Sequence, residues 1–293
     1  MSTLSHLIES SQQPSDRTPD LEPLVDLIRS RYGEAVVAIF LYGSCRDQTN
    51  PGDGLVDLCV VIDHYRRAHS NTLSCWANAW LPPNVYFAQC GGLKTKYALI
   101  SQAGLERKVR ARWDHYFWAR FSQPITRLYA KTEASARWLV DMQHAALATF
   151  HHNIAALNAL PKEALAFWAA GLQHTYGCEL RPEPASHAVA LVDKNTHYWR
   201  ESFQALQEQP HAQGLARWGI RQRWRARKIT GKLMNMARLI KAASTVSQGI
   251  DYIAWKVQRH SGVQVEVSDW MRQHPRMGGV SLAWRLWRQG GFR

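Results

Sequence analysis

The sequence predicts an α/β domain over residues 21–124, a mostly helical domain over residues 125–209, and a basic, amphipathic helical tail over residues 210–293. Short apolar runs bounded by turn residues, which are typical of buried strands, lie mainly in the first segment. Longer stretches with helical periodicity dominate the second. Pro210 and Gly214 mark the hinge into the tail, because both residues interrupt regular structure.

The N-terminal elements follow one another in a simple order. The first 20 residues are rich in Ser, Gln and Pro and are predicted as a leader, with residues 1–18 disordered or loosely attached. An amphipathic helix is expected over residues 21–32, and the apolar run at residues 35–42 predicts a buried strand. After a turn and a polar loop, residues 55–63 predict a second apolar strand that carries a carboxylate.

Further elements complete the two predicted domains. Strands are expected over residues 84–87 and 96–101, on either side of a Gly-Gly turn, and a basic amphipathic helix over residues 104–113. In the second domain, a long helix is expected over residues 134–160 and a small β element over residues 188–192.

The net charge of +13 resides in the tail. Its 84 residues carry 16 Lys and Arg against three Asp and Glu, whereas the preceding 209 residues balance to zero. Six of the 13 Trp also lie there, interleaved with Arg, which favours an anionic membrane surface as a partner. A nucleic-acid backbone would attract the same charges, and a basic helical domain facing water is the third interpretation.

Two compositional features bear on location. No run approaches the roughly 20 apolar residues that a spanning helix needs, so we expect a soluble or peripheral protein. Five cysteines are scattered without zinc spacing, which is typical of a reducing compartment.

A Gly-Ser turn between the first two strands is the most informative motif. Gly43 and Ser44 would let backbone N–H groups and a hydroxyl approach phosphate oxygens without a bulky side chain in the way. Asp57, on the next strand, is placed to hold the Mg²⁺ that bridges those phosphates. The pattern therefore predicts a nucleoside triphosphate site, although such turns are common and an Asp at a strand start is usually a solvated end.

The second metal ligand is missing from the strand itself. The positions that alternate with Asp57 are Leu55 and Cys59, which carry no carboxylate. Asp63 lies six residues further along, roughly 20 Å away in a straight strand and too far to share one ion. Asp53 is nearer and is an alternative from the loop.

Five short patterns occur in one order along the chain: a Tyr-Gly-Ser turn, an acidic apolar strand, a Lys-Tyr strand, a Trp-to-Pro segment with an Arg, and a Gly-Leu segment ending in Glu-x-Arg. They occupy residues 42–44, 55–63, 96–101, 113–124 and 171–181. Together they resemble the mitochondrial-type phosphatidate cytidylyltransferase family, the translocator assembly and maintenance proteins, which make CDP-diacylglycerol. The resemblance covers about residues 35–203 and implies a nucleotidyltransferase-like α/β (α+β) domain ahead of the helical parts.

The resemblance implies a set of site residues. Asp57, Ser44 and Lys96 would be catalytic, and Asp57 and Glu179 would bind the metal, Mg²⁺. The substrate-binding residues would be Tyr42, Gly43, Gln48, Arg120 and Arg181. The implied partners are CTP, phosphatidic acid and the anionic membrane, with the protein peripheral at the cytoplasmic face of the inner membrane and no nucleic acid expected.

The sequence also departs from the family pattern. Cys45 replaces a Gly after the Gly-Ser pair, and the Gly expected before Arg120 is absent. The acidic and Lys-containing cluster expected after Arg181 is reduced to residues 183–187. Two alternatives therefore stay open: a nucleotidyltransferase with a soluble acceptor, and a non-catalytic nucleic-acid-binding protein that keeps the fold.

Overall fold

The computed structural model describes most of the chain up to residue 245. The described residues are 3–16, 18, 20–43, 46, 55–68, 75, 78–111, 113–157, 160–179, 184–207, 215–245, 268, 270 and 271.

Five strands form one mixed sheet in the order β3-β4-β2-β1-β5. The strands β2 and β4 pair in parallel, and the other three pairs are antiparallel. The bounds are β1 Val36–Leu41, β2 Leu55–Ile62, β3 Asn84–Cys90, β4 Leu93–Ser101 and β5 Thr126–Ala130.

Helices make up most of the remaining described residues. In chain order they are α1 Thr3–Ser11, α2 Glu22–Tyr32, α3 Tyr65–Ala68, α4 Gln102–Val109, α5 Tyr116–Phe121, α6 Glu133–Ala155, α7 Ala164–Tyr176, α8 Ala185–Asp193, α9 Thr196–Gln207 and α10 Leu215–Thr245. The predicted fold class, an α/β sheet region with a mostly helical remainder, is confirmed.

Each face of the sheet has its own hydrophobic core, because side chains alternate between the two faces of a strand. Along β2, Leu58 and Val60 lie in a cluster with α2. Cys59 and Val61 lie in the larger cluster, which continues into α6, α7, α9 and α10. This second face of the sheet therefore shares one core with the helical part, and Trp168 is fully buried within it.

Three sequence predictions differ from the structure. The predicted leader begins with α1, whose Leu4 and Ile8 are buried because their spacing of four puts both on one helical face. The predicted β element at residues 188–192 lies inside helix α8, where Ala188 and Val192 are buried for the same reason. The strand β5 begins after the predicted domain boundary at residue 124 and pairs with β1, so the sheet extends past that boundary.

The long basic helix α10 belongs to the folded body. It lies against β3 and buries Ile220, Trp224 and Arg227. A methyl group added at Gly231 would lie 2.5 Å from the backbone oxygen of Cys178, so this helix approaches the loop after α7 closely. Within the described ranges, no helix is both long and apolar enough to cross a bilayer.

Candidate functional site

The residues that follow β1 lie next to Asp57. The backbone N–H of Tyr42 donates to the Asp57 carbonyl at 3.1 Å. Gly43 has a φ of +79°, which residues with a side chain rarely adopt, and a Cβ built there would lie 3.6 Å from Asp57 Oδ2. The glycine thus brings exposed backbone next to a carboxylate oxygen.

Lys96 pairs with this carboxylate. The parallel register of β2 and β4 places Lys96 beside Asp57 on the same face of the sheet. Its Nζ lies 2.8 Å from Asp57 Oδ1, and both side chains are about one-quarter exposed, at 25% and 26%. Charge-assisted pairs of this kind are strong when water is partly excluded. Lys96, which is predicted to be catalytic, therefore balances the charge of the predicted metal ligand.

Tyr97, the neighbour of Lys96, points to the opposite face. It is fully buried, and its hydroxyl accepts a hydrogen bond from Arg31 Nη1 at 2.7 Å. Its ring stacks on Tyr86, with 5.5 Å between centroids. The Lys-Tyr pair thus serves two purposes, because strand alternation sends Lys96 to the site and Tyr97 to the core.

Arg120 and Glu179 form a second ion pair. Arg120, on α5, places its Nη2 2.8 Å and 3.0 Å from the two carboxylate oxygens of Glu179, which follows α7. Its guanidinium stacks 3.9 Å from the Tyr116 ring centre. Burial alone would lower the pKa of Arg120, but Glu179, Tyr116 and Tyr42 outweigh it and raise the pKa, so the guanidinium stays charged.

The hydroxyl of Tyr42 interacts electrostatically with one member of each ion pair, Asp57 and Arg120. Burial and the Asp57 carboxylate raise the pKa of its hydroxyl well above the usual range, while the charge of Arg120 acts in the opposite direction. Tyr42 and Arg120 also line one cavity of about 30 Å³, whose other walls are mainly apolar. The site therefore combines a carboxylate, two cations and an apolar recess.

A buried network ties α10 to the same region. Asp114 Oδ2 lies 2.6 Å from Arg238 Nη2 and 2.9 Å from Lys108 Nζ. Burial raises the pKa of Asp114, but Arg238 and Lys108 outweigh it, and the net pKa lies below the ordinary value. The Arg238 guanidinium also lies 4.3 Å from the centre of the Tyr116 ring, so that ring contacts Arg120 and Arg238 together.

A second cleft adjoins the turn. Gly43 lines it together with Arg46, Lys194, Asn195 and Trp199. None of these four partners is among the site residues predicted from the sequence. Arg46 belongs to the turn region and could have been suspected for its charge, but nothing local links it to a helix end about 150 positions away.

Several predicted site residues stand apart from this geometry. Ser44, Gln48, Arg181 and the alternative ligand Asp53 lie outside the described residues. Asp63 is at the other end of β2 and pairs with Arg67 at 3.0 Å, so it is excluded as a ligand at the turn. The assignment of Glu179 to a metal stays a prediction, and in the structure its oxygens contact Arg120.

The described residues suit a metal ion that binds together with the phosphates of a substrate. Within them, no group of three or more His, Cys, Asp and Glu side chains converges as a metal site would require. Asp57 supplies one carboxylate, and its Oδ2 faces the Gly43 turn. Mg²⁺ is commonly held by one or two carboxylates plus substrate phosphates and waters. An Mg²⁺ ion coordinated by substrate phosphates and by Asp57 is therefore compatible with this site. The described side chains do not form a metal site made of protein ligands alone.

Comparisons with known proteins add little to this geometry. No protein-family profile matches the chain. No curated protein matches it in sequence either. Among solved structures, a nucleotidyltransferase-like protein from Exiguobacterium sibiricum aligns over 92% of each chain, with 12% identity and a TM-score of 0.29. That similarity is too low to carry a conclusion about fold or function.

Proposed function

We propose that the protein is a nucleotidyltransferase that transfers CMP from CTP to phosphatidic acid, giving CDP-diacylglycerol and pyrophosphate. The observation that carries the proposal is the position of Gly43 next to Asp57 Oδ2, with Lys96 paired to Oδ1 and with Tyr42 and Arg120 lining the neighbouring recess. This arrangement can bring two anionic substrates together, because cations flank a carboxylate that is suited to a metal–phosphate complex.

The proposed reaction depends more on stabilising the negative charge of the phosphates than on a general base. A phosphate monoester is already largely ionised near neutral pH, so its oxygen can attack phosphorus without losing a further proton. Asp57 would hold Mg²⁺, which supplies stabilisation of the charge that develops on the transferred and leaving phosphates. Lys96 would keep the Asp57 carboxylate oriented, since its ammonium lies 2.8 Å from Oδ1. Arg120 would attract the acceptor phosphate, exchanging part of its contact with Glu179.

The apolar recess next to Arg120 limits how a lipid is held. Its volume of about 30 Å³ is enough for one or two waters and far too small for acyl chains. A phosphatidate would therefore bring its phosphate to Arg120 from outside this recess, while its chains stay in the bilayer. On this proposal the enzyme works at a membrane surface.

The outer face of α10 suits such a surface. Trp218, Ile229 and Leu233 are 61%, 67% and 65% exposed and fall on one face of the helix. The exposed basic residues Arg225, Lys228 and Lys232 flank this apolar stripe. Apolar side chains beside basic ones favour anionic lipid, where each Lys or Arg contributes about 1 kcal/mol. A nucleic-acid backbone would use the charges but leave the apolar stripe without a partner.

The test is pyrophosphate release from CTP and Mg²⁺, with phosphatidate in mixed micelles. Asp57→Asn should abolish release, because the amide cannot supply the negative charge that Mg²⁺ requires. Asp63→Asn, on the same strand but paired with Arg67, is the matched control and should retain near-normal activity. Near-normal turnover by Asp57→Asn would disprove a nucleotidyltransferase site at this turn.

The acceptor is tested in the same assay. Release that requires phosphatidate supports the lipid acceptor. Release with a sugar phosphate but none with phosphatidate would retain the nucleotidyltransferase and replace its acceptor.

A further inference from the structure

We infer that helix α10 positions Arg120 for the acceptor phosphate, and that Tyr116 and Arg238 are the positioning residues through which it does so. The inference rests on the proposed function, in which Arg120 attracts the phosphate of phosphatidic acid. Neither Tyr116 nor Arg238 belongs to the site that the sequence predicts. Both act through Arg120, without contact to the reacting atoms.

The Tyr116 ring contacts two guanidinium groups. The central carbon of Arg120 lies 3.9 Å from the ring centre, and that of Arg238 lies 4.3 Å from it. A guanidinium is attracted to the negative face of an aromatic ring, and the attraction grows when water is partly excluded. Each guanidinium also pairs with its own carboxylate, which reduces the repulsion between two cations beside one ring. These carboxylates are Glu179 and Asp114, respectively.

Asp114 fixes the start of α5 to α10. Its Oδ1 accepts a hydrogen bond from the backbone N–H of Tyr116 at 3.2 Å, and its Oδ2 lies 2.6 Å from Arg238 Nη2. Arg238 Nε also donates to the Pro82 carbonyl at 3.0 Å. The Arg238 and Asp114 side chains are only 10% and 7% exposed, so their charge-assisted hydrogen bonds are little weakened by water. The position of Tyr116 therefore depends on α10.

Tyr116 can hold Arg120 while the acceptor binds. Arg120 lies one helical turn after Tyr116 on the same face of α5, because four positions separate them. It stacks on the ring, and its Nη1 donates to the Tyr116 carbonyl at 3.5 Å. The acceptor phosphate would exchange with the contact to Glu179. Stacking uses the face of the guanidinium and leaves its planar edge for phosphate oxygens, so the ring contact persists during this exchange.

The expected benefit is affinity for the acceptor. A held guanidinium binds phosphate more tightly than a mobile one, because less side-chain freedom is lost on binding. Tyr116 is only partly buried at the border of the core, and it lines the same small recess as Arg120. Loss of its ring should therefore weaken acceptor binding more than it weakens the fold.

The experiment compares the steady-state kinetics of Tyr116→Leu and Tyr116→Phe in the pyrophosphate-release assay. Tyr116→Leu should raise KM for phosphatidate about fivefold, as expected for the loss of one partly buried cation–π contact, and should leave KM for CTP within about twofold of wild type. Tyr116→Phe retains the ring and should keep both values. Tyr129 contacts Arg29 in the same way, at 4.6 Å, but packs against the core on the other face of the sheet. Tyr129→Leu is therefore the matched control and should change neither KM.

Arg238 is tested through the same KM. Arg238→Lys keeps a cation beside Asp114 but removes the planar guanidinium from the ring. It should raise KM for phosphatidate in the wild-type background and add little in Tyr116→Leu, because its effect passes through the ring. Additive effects of the two substitutions, or no effect of Arg238→Lys, would overturn the link from α10 to Arg120.

Calorimetric binding of dihexanoylphosphatidate, a soluble phosphatidate, to the full-length protein separates the inference from the proposed function. If CTP is turned over but Tyr116→Leu keeps the wild-type KM for phosphatidate, or raises KM for CTP equally, the positioning role is overturned and the proposed function stands. If no acceptor is turned over, but Tyr116→Leu alone among the three tyrosine variants binds this lipid more weakly, the positioning role stands and the proposed function fails. A wild-type protein that shows neither turnover nor binding of the lipid at millimolar concentration would overturn both.

Discussion

Replacing Arg238 with Ala tests whether α10 is part of the folded site. The change removes the 2.6 Å contact with Asp114, the hydrogen bond from Nε to the Pro82 carbonyl at 3.0 Å, and the stacking on Tyr116. It leaves Asp114 buried with Lys108 as its remaining cation.

The expected loss of stability follows from those contacts. Removing one partner of a buried ion pair costs about 3–5 kcal/mol, and the remaining Lys108 should reduce this cost for Asp114. The lost hydrogen bond adds about 1 kcal/mol and the lost cation–π contact about 0.5–1 kcal/mol. We therefore expect Arg238→Ala to lower the free energy of unfolding by about 3 kcal/mol.

Denaturant unfolding at pH 7 measures this loss. Arg225 is exposed on the same helix, so Arg225→Ala is the control and should change stability by no more than about 0.5 kcal/mol. A double-mutant cycle with Asp114→Asn should give a coupling of about 1–3 kcal/mol. Equal stability of the Arg238→Ala and Arg225→Ala proteins would refute the reasoning, since α10 would then contribute no buried ion pair.

Two further predictions concern acid and membranes. Because the pKa of Asp114 is lowered in the folded state, its contribution is complete above the unfolded pKa, about 4, and is lost as pH falls through the folded value. The stability difference between wild type and Asp114→Asn should therefore be constant from pH 7 to pH 5 and shrink below pH 4, and a difference that grows in acid would contradict this. For the membrane surface, Ile229→Ser combined with Leu233→Ser should reduce co-sedimentation with vesicles of anionic phospholipid at least tenfold, because two exposed apolar side chains are lost. Unchanged binding by the double variant would exclude that face of α10 as the docking surface.

The tail shows the limit of an argument from composition. Its charge and Trp content favour an anionic membrane surface as its partner. Part of the tail, α10, also buries Trp224 and places Arg238 against Asp114 and Tyr116, next to Arg120. Basic residues thus occupy both faces of this helix, and the sequence alone does not distinguish those that face solvent from those that hold the fold together.

Local patterns were sufficient to predict the first two strands and the conformation of Gly43 after the first of them. The apolar runs at β1 and β2 have strand length, and Gly43 adopts the positive φ that its residue type permits. The domain boundary was harder to predict from the sequence, because β5 joins the sheet by pairing with β1 across about 90 residues. The N-terminal helix was missed because its Ser-rich composition outweighed the spacing of Leu4 and Ile8.

By itself, the sequence determined which residues can adopt the turn, which strand carries the carboxylate, and where the net charge accumulates, since these follow from side-chain chemistry and local periodicity. The tertiary structure decided which groups meet. Lys96 reaches Asp57 through the parallel register of β2 and β4, whereas Arg120 reaches Glu179 through the juxtaposition of α5 with the end of α7. Such contacts join residues far apart in the chain, because strand register and helix placement depend on how the whole core is filled.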